Sequence, residues 1–97
     1  IYADHKVYKI KHDDILYIEG LKEYVSFFTS DNKRIITLES LKRLEELLPS
    51  DKFIRIHKSY IVPIDKIKSM EGNEVEIGSK KIPIGRSYKE EVVKKIF

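Results

Sequence analysis

Short stretches in which apolar and polar residues alternate, separated by turn-forming residues, recur along most of the chain and predict a β-rich domain rather than a helical bundle. Strands are expected over Val7 to Ile10, Asp14 to Ile18, Tyr24 to Thr29 and Arg34 to Leu38. The pattern continues through Phe53 to Val62, Ile67 to Met70, Glu74 to Ile77 and Lys81 to Ile84. Ser30-Asp31-Asn32-Lys33 reads as a hairpin turn, because Asp and Asn side chains bond their own backbone and tolerate left-handed dihedrals. Glu71-Gly72-Asn73 and Gly78-Ser79 predict two more tight connections, the second with the glycine-first form of a type II′ hairpin. Pro63 and Pro83 have no N–H to donate, so each belongs at a strand end, an edge or a bulge.

Two segments leave the period of two. In Ser40 to Leu48 the apolar residues Leu41, Leu44, Leu47 and Leu48 recur at helical spacing, Lys42, Arg43, Glu45 and Glu46 take the other face, and Pro49 stops the run. A short amphipathic helix packed on a sheet follows. Near the C-terminus Ser87-Tyr88-Lys89-Glu90 has the form of a capping box, in which the serine oxygen accepts from the backbone of Glu90 and the glutamate reaches back. It predicts a second helix running through Val92, Val93 and Ile96. The fold class is therefore all-β in the main, with one short amphipathic helix and a C-terminal helix.

Length and composition narrow the class further. Ninety-seven residues make one domain spanning 1–97, since a chain this short buries only about 65% of the surface it exposes when unfolded. Hydrophobic residues at 41% and charged ones at 36% suit a soluble globular fold rather than a disordered chain. The longest apolar run, Ile15-Leu16-Tyr17-Ile18, is four residues, against the roughly 18 of a membrane span. With no Cys there is no disulfide framework and no thiol nucleophile, which fits a cytoplasmic location. The chain opens at Ile1 rather than at Met and is read as one domain of a longer protein, whose upstream regulatory part is not in this sequence.

Catalysis finds little support. His5, His12 and His57 have no spacing that sets two of them on one helix face, and no cysteine can complete a zinc site. His12-Asp13-Asp14 lies between two expected strands, where Asp ordinarily starts a turn. No nucleophile elbow or glycine-rich phosphate loop occurs, so no reaction, cofactor or metal is expected.

Charge is more informative in its distribution than in its net of +3. Residues 1–50 hold eight Lys or Arg against nine Asp or Glu, while residues 51–97 hold eleven against seven. The excess sits wholly in the second half, where it can form an electropositive patch. Phe53 to Tyr60 interleaves apolar residues with Arg55, His57, Lys58 and Ser59, as an ordinary half-exposed strand also would. Arg86 stands just before the capped helix and beside Gly85. First-turn N–H groups there attract a phosphate, and the guanidinium can fork onto a second phosphate or the O6/N7 edge of guanine. A plain helix start with an exposed arginine would look the same. In the loop Gly20 to Tyr24, Lys22 can meet a phosphate and Tyr24 a base edge or sugar, unless Tyr24 is the first core-facing aromatic of its strand.

Three blocks, taken in order, resemble the LytTR DNA-binding domain family found at the C-terminal end of many bacterial response regulators. They are Asp14 to Gly20 with Lys22 to Val25, Ser40 to Glu45 through Phe53 to Val62, and Ile84-Gly85-Arg86-Ser87-Tyr88-Lys89. The resemblance covers nearly the whole chain. It implies an elongated arrangement of small antiparallel sheets whose loops, rather than an inserted helix, recognise double-stranded promoter DNA in successive major grooves. It further implies Arg86 and Lys58 as base readers with Tyr24 as a weaker one, and Lys22, Arg55, Ser59, Ser87 and Lys89 as phosphate or support contacts. His57 is assigned to packing or orientation because apolar residues flank it. Glu23 is left out of the expected site, since a carboxylate near phosphates repels them unless it accepts from a cytosine N4 or pairs with a lysine. Pro63 departs from the family's usual polar residue there. The resemblance also implies two copies on a direct repeat, an upstream receiver domain and a histidine kinase, and no membrane contact by this domain. The rival reading is a β-rich module that binds protein through a sheet edge or its aromatic residues.

Overall fold

The computed structural model describes the backbone of residues 2–3 and 6–97, with side chains described from residue 8 onward. His5 lies outside the described residues. Among the described residues, ten strands, two α-helices and three 3-10 turns build an elongated body of 40 × 24 × 21 Å. The strands are β1 (Tyr2–Ala3), β2 (Lys6–Val7), β3 (Ile15–Leu21), β4 (Tyr24–Thr29), β5 (Arg34–Leu38), β6 (Phe53–His57), β7 (Tyr60–Pro63), β8 (Ser69–Glu71), β9 (Glu74–Ile77) and β10 (Lys80–Pro83); the helices are α1 (Leu41–Leu47) and α2 (Lys89–Ile96). They form antiparallel sheets of two, three and five strands, the largest in the order β5-β4-β3-β7-β6.

Alternation explains why the central sheet has a core on each face. One face carries Ile15, Ile18, Val25, Phe27, Phe53 and Ile61 against Leu41 and Leu44 of α1. The other carries Ile54, Ile56 and Val62, which pack with Val75, Ile77, Ile82, Ile84 and Val92 from the β8-β9-β10 sheet, the segment after it and α2. Helix α1 forms within the expected Ser40 to Leu48 stretch and is capped by the Ser40 hydroxyl, which accepts from the Arg43 backbone N–H at 3.1 Å. Leu47, expected on its apolar face, is 63% exposed: it is the last residue of α1, and the helix packs on the sheet through Leu41 and Leu44 with Leu48 beyond it. Among the described residues no helix is long and apolar enough to cross a membrane.

Strands β4, β5 and β9 coincide with the sequence expectation, and Pro63 and Pro83 each close a strand. Gly78 has φ +59, as the glycine-first turn requires. Three expectations are corrected. Residues 8–10 are not strand, and Ile10 instead packs against the α1-side core. The stretch Phe53 to Val62 is not one strand but a hairpin, β6 and β7, that turns at Lys58-Ser59. The capping box does not form: residues Arg86–Tyr88 are a 3-10 turn, and α2 begins at Lys89 without a side-chain cap.

Candidate nucleic-acid interface

One end of the central sheet gathers the expected contact residues. Strands β3 and β4 are joined there by the two-residue tip Lys22-Glu23, directly after the cross-strand pair Leu21 and Tyr24. The presumed loop from Gly20 to Tyr24 is therefore mostly strand. Lys22 has φ +59, a left-handed conformation that a residue with a Cβ adopts at a cost. The Glu23 carbonyl accepts from the Glu39 N–H at 3.1 Å, tying the tip to the segment that enters α1. Gly20 lies so close to that segment that a Cβ there would meet Leu41 Cγ and Cδ1 at 2.7 Å. Tyr24 does not enter the core: it faces away from Val25 and Phe27 and is 51% exposed.

The Lys58-Ser59 tip lies beside this one, because the Gly20 N–H donates to the Ser59 carbonyl at 2.8 Å and Glu19 pairs with Tyr60. No Gly, Pro, Asn or Asp makes this turn; side chains hold it. Arg55 donates through Nε to the His57 carbonyl at 2.9 Å and through an NH2 nitrogen to the Lys58 carbonyl at 2.6 Å. Its other terminal nitrogen pairs with Glu45 of α1 at 3.1 Å. The Ser59 N–H donates to His57 Nδ1 at 3.0 Å. Lys58 itself is exposed, and its ammonium has no partner among the described residues.

The Arg86 turn completes the row. The Gly85 N–H donates to the Ile56 carbonyl at 2.7 Å, and a Cβ at Gly85 would stand 3.5 Å from His57 Cα and 3.0 Å from Tyr88 Cδ2. Arg55 lies over the Tyr88 ring at 5.9 Å. Arg86 and Ser87 are exposed, and the Arg86 guanidinium has no partner among the described residues. Since α2 starts only at Lys89, first-turn helix N–H groups do not lie beside Arg86 as expected.

The expected residues thus divide by occupation. Lys22, Tyr24, Lys58, Arg86 and Ser87 present exposed side chains at the same end of the sheet, without a partner among the described residues, and Ser59 lies half-buried between them. Arg55 is consumed in bracing. Lys89 donates to the Gly72 carbonyl at 2.8 Å and to Asn73 Oδ1 at 2.7 Å, so it serves the β8-β9 turn. Strands lie about 4.8 Å apart, so tips two strand widths apart are separated by roughly 10 Å, about three base-pair steps of a duplex.

Behind the tips Tyr60 donates its hydroxyl to Glu19 Oε2 at 2.9 Å, and its ring lies 5.5 Å from that of His57. Burial, and then the Glu19 carboxylate, push the Tyr60 phenol up to about 12. Tyr17 is raised for the same two reasons, against a smaller opposing effect of Arg34. Sequence reasoning saw neither the Tyr60-Glu19 contact nor the brace from Glu45, which read only as the polar face of a helix. Both link residues far apart along the chain, and no local spacing signals them.

A family model described as the LytTr DNA-binding domain matches residues 5–97. The sensory transduction protein LytT of Bacillus subtilis is 30% identical over 87 residues, covering 84% of this chain and 36% of LytT. LytT of Enterococcus faecalis is 26% identical over 102 residues, covering 99% of this chain and 42% of that protein. The transcriptional regulatory protein LytR of Staphylococcus aureus is 34% identical over 68 residues, covering 70% and 27%. The chain therefore spans well under half the length of these curated relatives. Among solved structures, the LytTr DNA-binding domain of a putative methyl-accepting/DNA response regulator from Bacillus cereus superposes with a TM-score of 0.82 at 24% identity, over 90% of this chain and 84% of that one.

Proposed function

The chain belongs to the LytTR DNA-binding domain family, and from that premise we propose that it binds double-stranded promoter DNA sequence-specifically as the output domain of a transcription regulator. Residues 1–97 act as one unit. Arg86 and Lys58 discriminate base edges in the major groove, with Tyr24 as a weaker reader at the neighbouring tip. Lys22, Ser59 and Ser87 anchor phosphates and set the register. Arg55 and Lys89 support the turns from within rather than touching DNA. The full protein works in the cytoplasm, two copies of this domain occupy a direct repeat, and an upstream receiver domain phosphorylated by a histidine kinase controls them. The names of the relatives, sensory transduction and transcriptional regulatory proteins, support that wider arrangement.

A single observation carries the DNA reading: Lys22, Lys58 and Arg86 are exposed at one end of the sheet and have no side-chain partner among the described residues, whereas Arg55 and Lys89 are satisfied internally. Free cations on a rigid edge release counterions from a duplex on contact. If about four phosphates are neutralised, affinity falls on the order of a hundredfold between about 50 and 200 mM salt. The test is a fluorescence titration with a duplex enriched from a random library and a scrambled version of it, at two ionic strengths. Arg86→Ala should weaken the enriched duplex by about 1 to 3 kcal/mol and the scrambled one far less. Equal and salt-insensitive binding of both duplexes would exclude specific recognition. It would favour the protein-binding alternative, for which the exposed apolar residues Leu21, Ile36 and Leu38 on the outer face offer a surface.

A further inference from the structure

We infer that Glu23 determines specificity by requiring a cytosine at the base pair that faces the β3-β4 tip. This rests on the DNA-binding reading above. Glu23 occupies one of only two positions in the tip, between Lys22 with φ +59 and the cross-strand pair Leu21 and Tyr24. Its side chain is exposed, and among the described residues no cation pairs with it, although Lys22 adjoins it in sequence. Other acidic groups nearby are committed: Glu39 to Arg43 at 3.4 Å and to the Ser40 N–H at 3.1 Å, and Glu19 to Tyr60. The backbone that carries this side chain is anchored, because the Glu23 carbonyl accepts from the Glu39 N–H.

A tip that carries Lys22 to the duplex carries Glu23 with it. There the carboxylate meets repulsion from phosphates on either side of the groove. Leu21 and Tyr24, 68% and 51% exposed on the flank of the tip, shed water on docking and leave an unpaired carboxylate poorly solvated. Cytosine relieves the cost, because its N4 amino group donates into the major groove with no acceptor beside it on the same base, whereas adenine's N6 donor adjoins the N7 lone pair, which repels the second carboxylate oxygen, and guanine and thymine present O6 and O4 acceptors. The same charge that weakens binding to an arbitrary sequence thus becomes a filter: Glu23 penalises wrong bases more than it strengthens the right one.

Selection from a random duplex library, followed by sequencing, tests this with the wild-type chain, Glu23→Gln and Glu23→Ala. The wild type should enrich a motif with one cytosine-dominated position that flattens in Glu23→Ala while the other positions persist. On the wild-type motif, replacing that cytosine should weaken wild-type binding about tenfold and Glu23→Ala binding hardly at all. Glu23→Gln should keep a reduced preference, since its amide oxygen still accepts. An unchanged motif in all three proteins, with Glu23→Ala simply tighter on every duplex, would overturn the inference and make Glu23 a general repeller. Loss of preference for a base other than cytosine would overturn it too. If the wild type enriches no motif, the DNA reading itself fails, which is a different result.

Discussion

The Lys22-Glu23 tip is shaped by backbone alone, with a strained lysine and one carbonyl held by Glu39, whereas the Lys58-Ser59 tip is bound by the side chains of Arg55 and His57. Both turns present cations at the same end of one sheet, yet they tolerate change in opposite places. At the first, the identity of the turn residue carries the conformational cost. At the second, Lys58 is free to vary, and the geometry depends on residues one to three positions earlier. A contact surface can therefore be lost without touching a contact residue, and this contrast is open to direct attack.

The largest effect is expected from Arg55→Ala. It removes charge-assisted bonds to the His57 and Lys58 carbonyls, the pair with Glu45 and the contact with Tyr88, from a side chain only 15% exposed. Stability measured by urea unfolding should drop by about 3 kcal/mol, and the enriched duplex should lose its advantage over the scrambled one. A loss under about 1 kcal/mol would mean that β6 and β7 hold the turn unaided. Gly20→Ala should cost somewhat less, about 2 kcal/mol, because its Cβ collides with Leu41, a residue only 6% exposed in the core. Combining it with Leu41→Ala should cost less than the sum of the single changes, by a double-mutant cycle. Strict additivity would deny the collision.

Tyr60→Phe acts on the backing of both tips and should cost about 1 kcal/mol, since Glu19 loses its donor. It also carries a pH signature. Below about pH 10 the phenol is protonated whether the chain is folded or not, and its contribution is complete. As pH rises to about 12 only the unfolded chain gives up the proton, because the folded value is pushed up to about 12, so stability falls through that window. Thermal unfolding followed from pH 9 to 12 should show a decline in the wild type that is shallower in Tyr60→Phe. Parallel curves would detach the phenol from the fold.

These contrasts also mark what was legible in the chain. Strands β4 and β5 were readable to the residue because aromatic and β-branched residues dominate Tyr24 to Thr29 and Ile35 to Thr37 and Ser30 to Lys33 supplies turn chemistry, with Asn32 at φ +63. The hairpin at Lys58-Ser59 was not, because its turn is made by a distant guanidinium and an imidazole rather than by local turn formers. Ser87 to Glu90 carries the letters of a capping box, but the Gly85 bond to Ile56 and the packing of Tyr88 impose a 3-10 turn first. At the interface, charge and family resemblance picked out Lys22, Lys58 and Arg86. Only the fold separates those free cations from Arg55 and Lys89, whose charges are spent inside the molecule.

The smallest effect bears most directly on the first tip. Lys22 sits at φ +59, where a side chain costs on the order of 1 kcal/mol or more and glycine costs none in sterics, though its greater freedom when unfolded returns about half of that. Lys22→Gly should therefore raise stability slightly, by about 0.5 kcal/mol in urea unfolding. If the strain persists because a cation is needed at that point, the same change should weaken enriched and scrambled duplexes alike and lower the salt dependence by about one counterion. A gain in stability with undiminished binding would show that the strained lysine serves no contact. A loss of stability would show instead that the turn, like its neighbour at Lys58-Ser59, leans on a side chain after all.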